Sequence, residues 1–158
     1  MRLHVDRIPA SQEQYRLVTI SDRAALEGLM TCYRATPKQV ECSMKNPFVS
    51  IMSVADVGRR LNEFAPANRA VFLSYLSSFT ASNKPIELVV PAYGLGSDGF
   101  LLLDGNHRVT AAVLSGKPVS VTLAVLDGPI DRRILWDLRF WDGGLKRFAR
   151  RIAARQAA

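Results

Sequence analysis

The most regular alternation of apolar and polar side chains lies between residues 119 and 125. An apolar side chain occupies every second position there, at Val119, Val121, Leu123 and Val125. This period is typical of a strand with one buried face, and it predicts a strand over this segment. Shorter apolar, β-prone runs predict further strands over residues 15–20, 48–52, 86–91 and 100–104.

Helical spacing of apolar residues predicts three helices in the first half of the chain. The first begins at Ser21 and Asp22 and runs to about Arg34, with four apolar residues on one face: Leu26, Leu29, Met30 and Tyr33. The second is capped by Ser53 and carries Val54, Val57, Leu61 and Phe64. The third spans residues 66–80 and is expected to bury Val71, Phe72, Tyr75, Leu76 and Phe79.

The last thirty residues predict a basic helical extension, residues 129–158. A helix is expected from Pro129, with Trp141 on its apolar face, until Gly143 and Gly144 interrupt it. The terminal segment then carries five cations: Lys146, Arg147, Arg150, Arg151 and Arg155. We interpret these cations as the solvated outer face of a terminal helix, with contacts to DNA phosphates as the alternative.

The succession of strands and helices predicts an α/β (α+β) fold, in which a small mixed sheet is flanked by helices. With 158 residues the chain fits one compact domain with one core. The apolar runs are far shorter than the ~20 residues that span a bilayer, and the first residues lack the apolar core of a secretion signal. We therefore expect a cytoplasmic protein without a membrane partner.

Charge and cysteine content narrow the classes of partner and site. The net charge of +7 favours anionic partners such as nucleotides or nucleic acid. Two cysteines, Cys32 and Cys42, are too few for a disulfide framework and are expected to be buried or half-buried thiols. Because His4 and His107 are the only histidines, no familiar Cys and His spacing for a zinc site is present.

A G-x-G-x-x-G pattern occurs at residues 94–99, but it lies between two predicted strands. The dinucleotide-binding version of this pattern needs a helix directly behind it, because the helix N-terminus supplies the phosphate site. We therefore interpret residues 94–99 as the turn of a hairpin.

Five chemically active residues follow the predicted strand over residues 100–104: Asp104, Gly105, Asn106, His107 and Arg108. The small residues after them predict a helix that ends near Gly116, so this DGNHR turn stands at a helix N-terminus. Free backbone N–H groups and the helix dipole favour an anion there, and Arg108 can donate two hydrogen bonds to phosphate oxygens. His107 can donate a hydrogen bond or move a proton.

Asp104 is the residue of the turn that a bare phosphate would not favour. Its carboxylate points to a bound metal, a ribose hydroxyl or a substrate hydroxyl beside the phosphates. The alternative is structural: Asp104 caps the helix, Asn106 makes a turn hydrogen bond, and His107 and Arg108 face solvent. The grouping of all five residues favours an anion site over this alternative.

The segment LLLDGNHRVTAAVLSGKPVSVTLAVL resembles the core of the ParB/sulfiredoxin-like superfamily. Members share a strand, a G-x-[HR]-R phosphate motif that opens a helix of small residues, a glycine and a further strand. The preceding KPIELVVPAYGLGSDGFLLLDG is similar to the strand and hairpin that precede this motif. The resemblance covers about residues 53–126.

The resemblance implies a nucleotide-binding domain. Asn106 stands where sulfiredoxins have their catalytic cysteine, so that chemistry is not expected. Partition proteins of the superfamily bind CTP and carry a separate helix-turn-helix domain, for which residues 127–158 are too few. The free-serine kinases, with a D-G-x-H-R-like motif, are the most similar members, and they imply that Asp104 and His107 are catalytic. Glu41 and Glu63 are candidates for a further acid.

The expected ligand is a nucleoside di- or triphosphate, ATP, ADP or CTP, held by Gly105, Asn106, His107 and Arg108. Asp104 would be the ligand of a Mg²⁺ ion. Phosphotransferase or NTPase activity is the implied chemistry. The alternatives are a DNA-binding, partition-related adaptor that uses the basic C-terminal helix, and a ParB-like nuclease.

Overall fold

The computed structural model describes residues 14–42, 49–96 and 99–127. These residues form seven strands and four α-helices, which confirms the mixed α/β fold. In chain order the elements are β1 (Gln14–Ile20), α1 (Arg23–Gly28), β2 (Met30–Thr36), β3 (Gln39–Val40), β4 (Ser50–Ser53), α2 (Val54–Arg59), a short 3₁₀ helix (Leu61–Glu63), α3 (Pro66–Ala81), β5 (Ile86–Gly94), β6 (Phe100–Leu102), α4 (Asn106–Leu114) and β7 (Val119–Asp127).

All seven strands belong to one mixed sheet. Its order is β1-β7-β5-β6-β2-β3, and β4 pairs with β2 outside this path. The pairs β5–β7 and β2–β6 are parallel, whereas the other pairs are antiparallel. Strand β6 therefore lies between β5 and β2, and the chain that leaves its end emerges beside β2.

The larger part of the core lies between one face of the sheet and the helices. The predicted alternation in β7 is confirmed, because Val121, Leu123 and Val125 are fully buried. They pack with buried residues of α1, α2 and α4, including Leu26, Val54, Val109 and Ala112. On the opposite face of the sheet, Leu17 and Val89 are 62% and 67% exposed. The four helices thus contribute to burying one face.

A second, smaller cluster packs β2, β3 and β4 against α2, the 3₁₀ helix and α3. Its buried members are Ala35, Val40, Met52, Val57, Leu61, Phe64 and Phe72. The ring of Tyr33 packs edge-on against Phe64, with ring centroids 5.0 Å apart. Tyr33 therefore joins β2 to this cluster, next to the N-terminus of α4.

The predicted helix to Arg34 is wrong beyond Gly28. Asp22 does cap a helix, since its Oδ2 accepts from the Ala25 N–H at 2.8 Å. The helix ends at Gly28, and the following residues form β2, which pairs with both β4 and β6. Leu26 and Leu29 are buried in this arrangement as they would be on a helix face. Pairing on two edges outweighed the local spacing of apolar residues.

The predicted helix after Ser53 is confirmed at its start and is shorter than expected. Ser53 and Asp56 form a capping box, in which each side chain accepts from the other residue's backbone N–H. The α-helix stops at Arg59, and the 3₁₀ helix then carries the chain on. The four predicted apolar residues are nevertheless all buried: Val54, Val57, Leu61 and Phe64.

Helix α3 is confirmed, but most of its predicted burial is wrong. Phe72 alone among the five predicted residues is fully buried, whereas Val71 and Tyr75 are 41% and 38% exposed. Residues 72, 76 and 79 lie on one narrow stripe of the helix. Successive residues of an α-helix differ by a rotation of about 100°, and residues 71 and 75 directly precede residues of this stripe. Val71 and Tyr75 therefore turn outward.

The hairpin at residues 94–99 is confirmed. Strands β5 and β6 pair antiparallel, and the Leu95 N–H donates to the Gly99 carbonyl at 2.9 Å. Both cysteines are half-buried, as predicted. In the described part of the chain, no helix is long and apolar enough to cross a membrane. The predicted basic extension, residues 129–158, lies outside the described residues.

Candidate functional site

The DGNHR turn leads from the end of β6 directly into α4, as predicted. The Leu103 N–H donates to the Pro91 carbonyl at 2.9 Å, and this bond holds the start of the turn against β5. Gly105 then adopts a left-handed conformation with φ of 76°. A Cβ atom at Gly105 would lie 2.5 Å from Val90 Cγ1, so a larger residue would not fit unless the buried Val90 side chain moved.

Gly105, not Asp104, is the N-cap residue of α4. The first helical hydrogen bond runs from the Val109 N–H to the Gly105 carbonyl, at 2.9 Å. The N–H groups of residues 106–108 precede this bond and have no intrahelical acceptor. Gly105 has no side chain that could accept from them, and they lie at the positive end of the helix dipole.

The two charged residues of the turn lie on its open side. Arg108 Nη2 is 3.7 Å from Asp104 Oδ2, and the side chains are 37% and 77% exposed. The guanidinium lies over the turn, because Nη2 is 3.4 Å from the position that a Cβ of Gly105 would take. An exposed pair at this distance adds little to stability, so both groups can rearrange around a ligand.

Asn106 is positioned as a structural link. Its side chain is buried, and Oδ1 accepts from the Cys32 N–H of β2 at 3.0 Å. This bond fixes the first turn of α4 to the neighbouring strand. The backbone N–H of Asn106, rather than its amide side chain, is therefore the group that can contact a ligand.

His107 lies between α4, β2 and α3. Its Nε2 is 2.9 Å from the Tyr33 hydroxyl and 2.5 Å from Asn68 Oδ1, and its ring packs on Phe72 with centroids 4.4 Å apart. Burial lowers the pKa of His107 below its ordinary value, and the nearby Asp104 carboxylate offsets this only in part. The imidazole is thus held in its neutral form at neutral pH.

The Tyr33 hydroxyl is also held neutral. Burial is the main reason that its pKa rises above the ordinary value for tyrosine. As a neutral phenol it donates toward Asn68 Oδ1, at 3.4 Å. Tyr33 therefore serves as a hydrogen-bonding partner of the His107 and Asn68 pair rather than as a charged group.

Of the two candidate acids, the structure joins Glu41 to this site. Glu41 Oε1 accepts from Asn68 Nδ2 at 2.7 Å, and Oε2 accepts from the Ala65 N–H at 2.6 Å. The carboxylate thereby caps α3, whose own N-cap residue makes no side-chain bond. Glu63 instead pairs with Arg60, at 2.6 Å.

Glu41 also has an uncommon backbone. Its φ of 54° makes it the one non-glycine residue with a positive φ in the described part of the chain. Such a conformation costs about 1–2 kcal/mol, and the two hydrogen bonds of its carboxylate help to hold it.

Two members of the site, Tyr33 and Asn68, were not predicted from the sequence. Tyr33 was assigned to a helix, and Asn68 stands in the first turn of α3 without any motif around it. Neither residue carries a local signal, because its role depends on the packing of α3 and β2 against α4. The described residues contain no group of three or more His, Cys, Asp and Glu that could hold a metal ion.

Asp104, His107 and Arg108 thus share one turn, and the backbone N–H groups of α4 lie beside them. The arrangement can bind an anion through Arg108 and the helix N-terminus, and it can accept a proton at neutral His107. Comparison with known proteins adds no family, because no family model, curated protein or solved structure matches the chain.

Proposed function

We propose that this protein binds a nucleoside di- or triphosphate at the DGNHR turn and is a member of the ParB/sulfiredoxin-like superfamily. The observation that carries the proposal is the N-terminus of α4. There Gly105 occupies the N-cap in a left-handed conformation, and the Arg108 guanidinium lies over it. This combination places uncapped backbone N–H groups and a cation in the same small region.

Phosphate fits this region better than a carboxylate does. A phosphate group offers several acceptor oxygens, so it can accept from backbone N–H groups and from a guanidinium at once. Gly105 packs against Val90 and has no side chain that could cap the N–H groups of α4. The net charge of +7 supports an anionic ligand but does not select among them.

His107 and Asp104 would have different roles at the bound phosphates. His107 is neutral and its Nε2 is engaged, so the positive charge for the phosphates comes from Arg108. Asp104 is the exposed acid, and it suits a role in orienting a substrate hydroxyl or water. Phosphoryl transfer or hydrolysis would then depend on positioning and on charge stabilisation by Arg108 and the helix N-terminus.

Asp104 is the one carboxylate of the turn, so it could hold Mg²⁺ only together with the phosphates of a bound nucleotide. Mg²⁺ is commonly held by one or two carboxylates together with phosphate oxygens and waters. Asp104 would supply the protein ligand, and the bound ion would neutralise phosphate charge. This arrangement predicts that magnesium binds appreciably only together with the nucleotide.

Thermal unfolding in the presence of nucleotides tests the proposal. ATP, ADP, CTP and GTP are added separately, each with and without magnesium. At a concentration about 100 times the dissociation constant, a bound ligand stabilises the fold by about 2.7 kcal/mol, which is a clear rise in Tm. If none of the four nucleotides raises the Tm, the proposal is wrong.

The Arg108→Gln variant tests whether the nucleotide binds at the DGNHR turn. It should reduce the nucleotide-induced rise in Tm by about half or more, while the Tm without nucleotide stays nearly unchanged. Arg59→Gln is the matched control, since Arg59 is also a partly exposed helical arginine paired with an acid. Retention of the full response in Arg108→Gln would place the nucleotide elsewhere.

A further inference from the structure

The hydrogen bonds around His107 determine which of its ring nitrogens carries the proton. Glu41 lies at one end of this chain of bonds, and its carboxylate can only accept. Because Asn68 Nδ2 donates to Glu41 Oε1, the amide of Asn68 has one orientation, with Oδ1 turned to His107. A carbonyl oxygen also can only accept, so His107 Nε2 must donate the proton between them.

Tyr33 agrees with this assignment but does not determine it. A hydroxyl can donate or accept, so the 2.9 Å contact between its oxygen and His107 Nε2 fits either tautomer. Its own hydrogen is directed to Asn68 Oδ1, which leaves the oxygen as an acceptor for the same Nε2–H. The imidazole contacts Tyr33 and Asn68 through Nε2 alone.

We propose that Glu41 and Asn68 are positioning residues that fix His107 as the Nε2–H tautomer, so that Nδ1 is the proton acceptor at the DGNHR turn. Glu41 acts through Asn68 and does not itself contact the ligand. The part of this inference that concerns a ligand proton rests on the proposed function, whereas the tautomer does not. The positive φ of Glu41 fits the role, because a strained backbone places the carboxylate against Ala65 and Asn68 at the start of α3.

The charges around His107 are consistent with a neutral ring. Asp104 lies on the open side of the turn, Arg108 follows on the same helix, and the neutral Tyr33 phenol lies on β2. The Glu41 charge reaches the imidazole only through the Asn68 amide. No carboxylate among the described residues contacts the ring directly, so Nε2 donates to a neutral acceptor and the proton stays on Nε2.

Long-range ¹H–¹⁵N NMR of the full chain tests the tautomer directly. The chain has two histidines, and His4→Gln assigns the remaining signals to His107. Without any ligand, we expect about a tenfold preference for a protonated Nε2 over a protonated Nδ1. A preference for protonated Nδ1 would overturn the proposal.

Two variants test whether Glu41 and Asn68 cause the preference. In Glu41→Gln, the new amide oxygen accepts from the Ala65 N–H and its NH₂ group faces Asn68, which must turn its own NH₂ to His107. The proton should then move to Nδ1, and the tenfold preference should be lost. Glu41→Gln/Asn68→Asp restores an acceptor facing Nε2 at the same net charge, and it should restore the Nε2–H tautomer.

Control variants distinguish the effect of Glu41 through Asn68, which we call the relay, from a general loss of structure. Glu63→Gln, on the adjacent 3₁₀ helix, should leave the tautomer unchanged, and so should Tyr33→Phe. A folded Glu41→Gln protein that keeps the Nε2–H tautomer would refute the relay, as would a switch in Tyr33→Phe alone. If the tautomer behaves as expected but none of ATP, ADP, CTP and GTP, each with magnesium, shifts any resonance, the effect of Glu41 and Asn68 on the tautomer stands and the nucleotide proposal fails.

Discussion

A glycine-containing segment lies at each end of strand β6, and the two segments have different structural roles. Residues 94–99 match a dinucleotide-binding pattern, yet they join β5 to β6 as a hairpin. Residues 104–108 match a shorter pattern, and they open α4. A glycine pattern has chemical meaning only through the element behind it, because the helix N-terminus supplies the N–H groups that an anion needs.

The glycines of the two segments share a conformation for different reasons. Gly96 has a φ of 64°, and no atom lies within 4 Å of the position that a Cβ would take. Only the geometry of the hairpin therefore requires glycine there. Gly105 has a φ of 76° and a Cβ there would meet Val90 at 2.5 Å. The turn at α4 is therefore packed as well as bent, and this rigidity keeps its N–H groups in place.

The largest expected difference between the segments is in stability. Gly105→Ala combines a left-handed alanine with a clash against a buried strand, and it should lower the free energy of unfolding by about 3 kcal/mol. Gly96→Ala has the backbone penalty alone and should cost about 1 kcal/mol. Urea unfolding of both variants measures the contrast. Equal losses would show that packing against Val90 is unimportant.

The next difference is in ligand binding. Arg108→Gln should weaken nucleotide binding by about tenfold or more, because a charge-assisted hydrogen bond to phosphate is lost. Isothermal titration measures the change, with Arg59→Gln as the control that should bind as wild type. A hairpin variant, Gly96→Ala, should also bind normally. Weakened binding in Gly96→Ala but not in Arg108→Gln would reverse the assignment of the two segments.

A smaller effect is expected in the pH dependence of stability. The lowered pKa of His107 means that the unfolded chain binds a proton at a higher pH than the native protein does. Stability from this group is therefore complete above the ordinary histidine pKa and falls as the pH drops below about 6.5. His107→Gln should remove this part of the acid loss in urea unfolding, whereas His4→Gln should not. Identical profiles for wild type and His107→Gln would contradict it.

The smallest stability effect is expected at Asp104. Its carboxylate is exposed and 3.7 Å from Arg108, so Asp104→Asn should change the free energy of unfolding by less than about 0.5 kcal/mol. The variant should lower the His107 pKa further, since the carboxylate supports the protonated ring. An NMR titration of His107 measures this shift. A rise in the His107 pKa would show that Asp104 does not act on the imidazole.

Asp104→Asn also separates its two proposed roles at the turn. Loss of the negative charge should tighten the binding of inorganic phosphate, because repulsion is removed. The same change should reduce the benefit of magnesium for nucleotide binding if Asp104 holds the ion. Tighter phosphate binding with an unchanged magnesium effect would leave Asp104 without a metal role.

The local patterns that proved reliable were those whose cause is local. Alternation in β7 required a half-buried strand, Ser53 with Asp56 required a helix start, and the small residues after Arg108 required a helix. Each of these patterns depends on the spacing of apolar residues or on helix capping within a few residues. The DGNHR turn was found for the same reason, since a strand, a glycine and a helix follow one another in sequence.

The incorrect predictions came from segments whose environment is set from a distance. Met30 and Tyr33 have helical spacing, but β2 gains pairing with β4 and β6, which the local sequence does not contain. Val71 and Tyr75 are apolar, but the rotation of α3 directs them outward. Burial depends on which elements pack together, and apolar content alone does not fix this.

The sequence by itself determined the mixed α/β composition, the strand–turn–helix at residues 100–114 and the identity of the residues in its turn. Only the tertiary structure decided what surrounds that turn. Residues 33, 41, 68 and 107 are far apart along the chain, and they meet because β2 and α3 pack against the start of α4. The protonation of an imidazole depends on such neighbours in space, so no period or spacing along the chain can specify it.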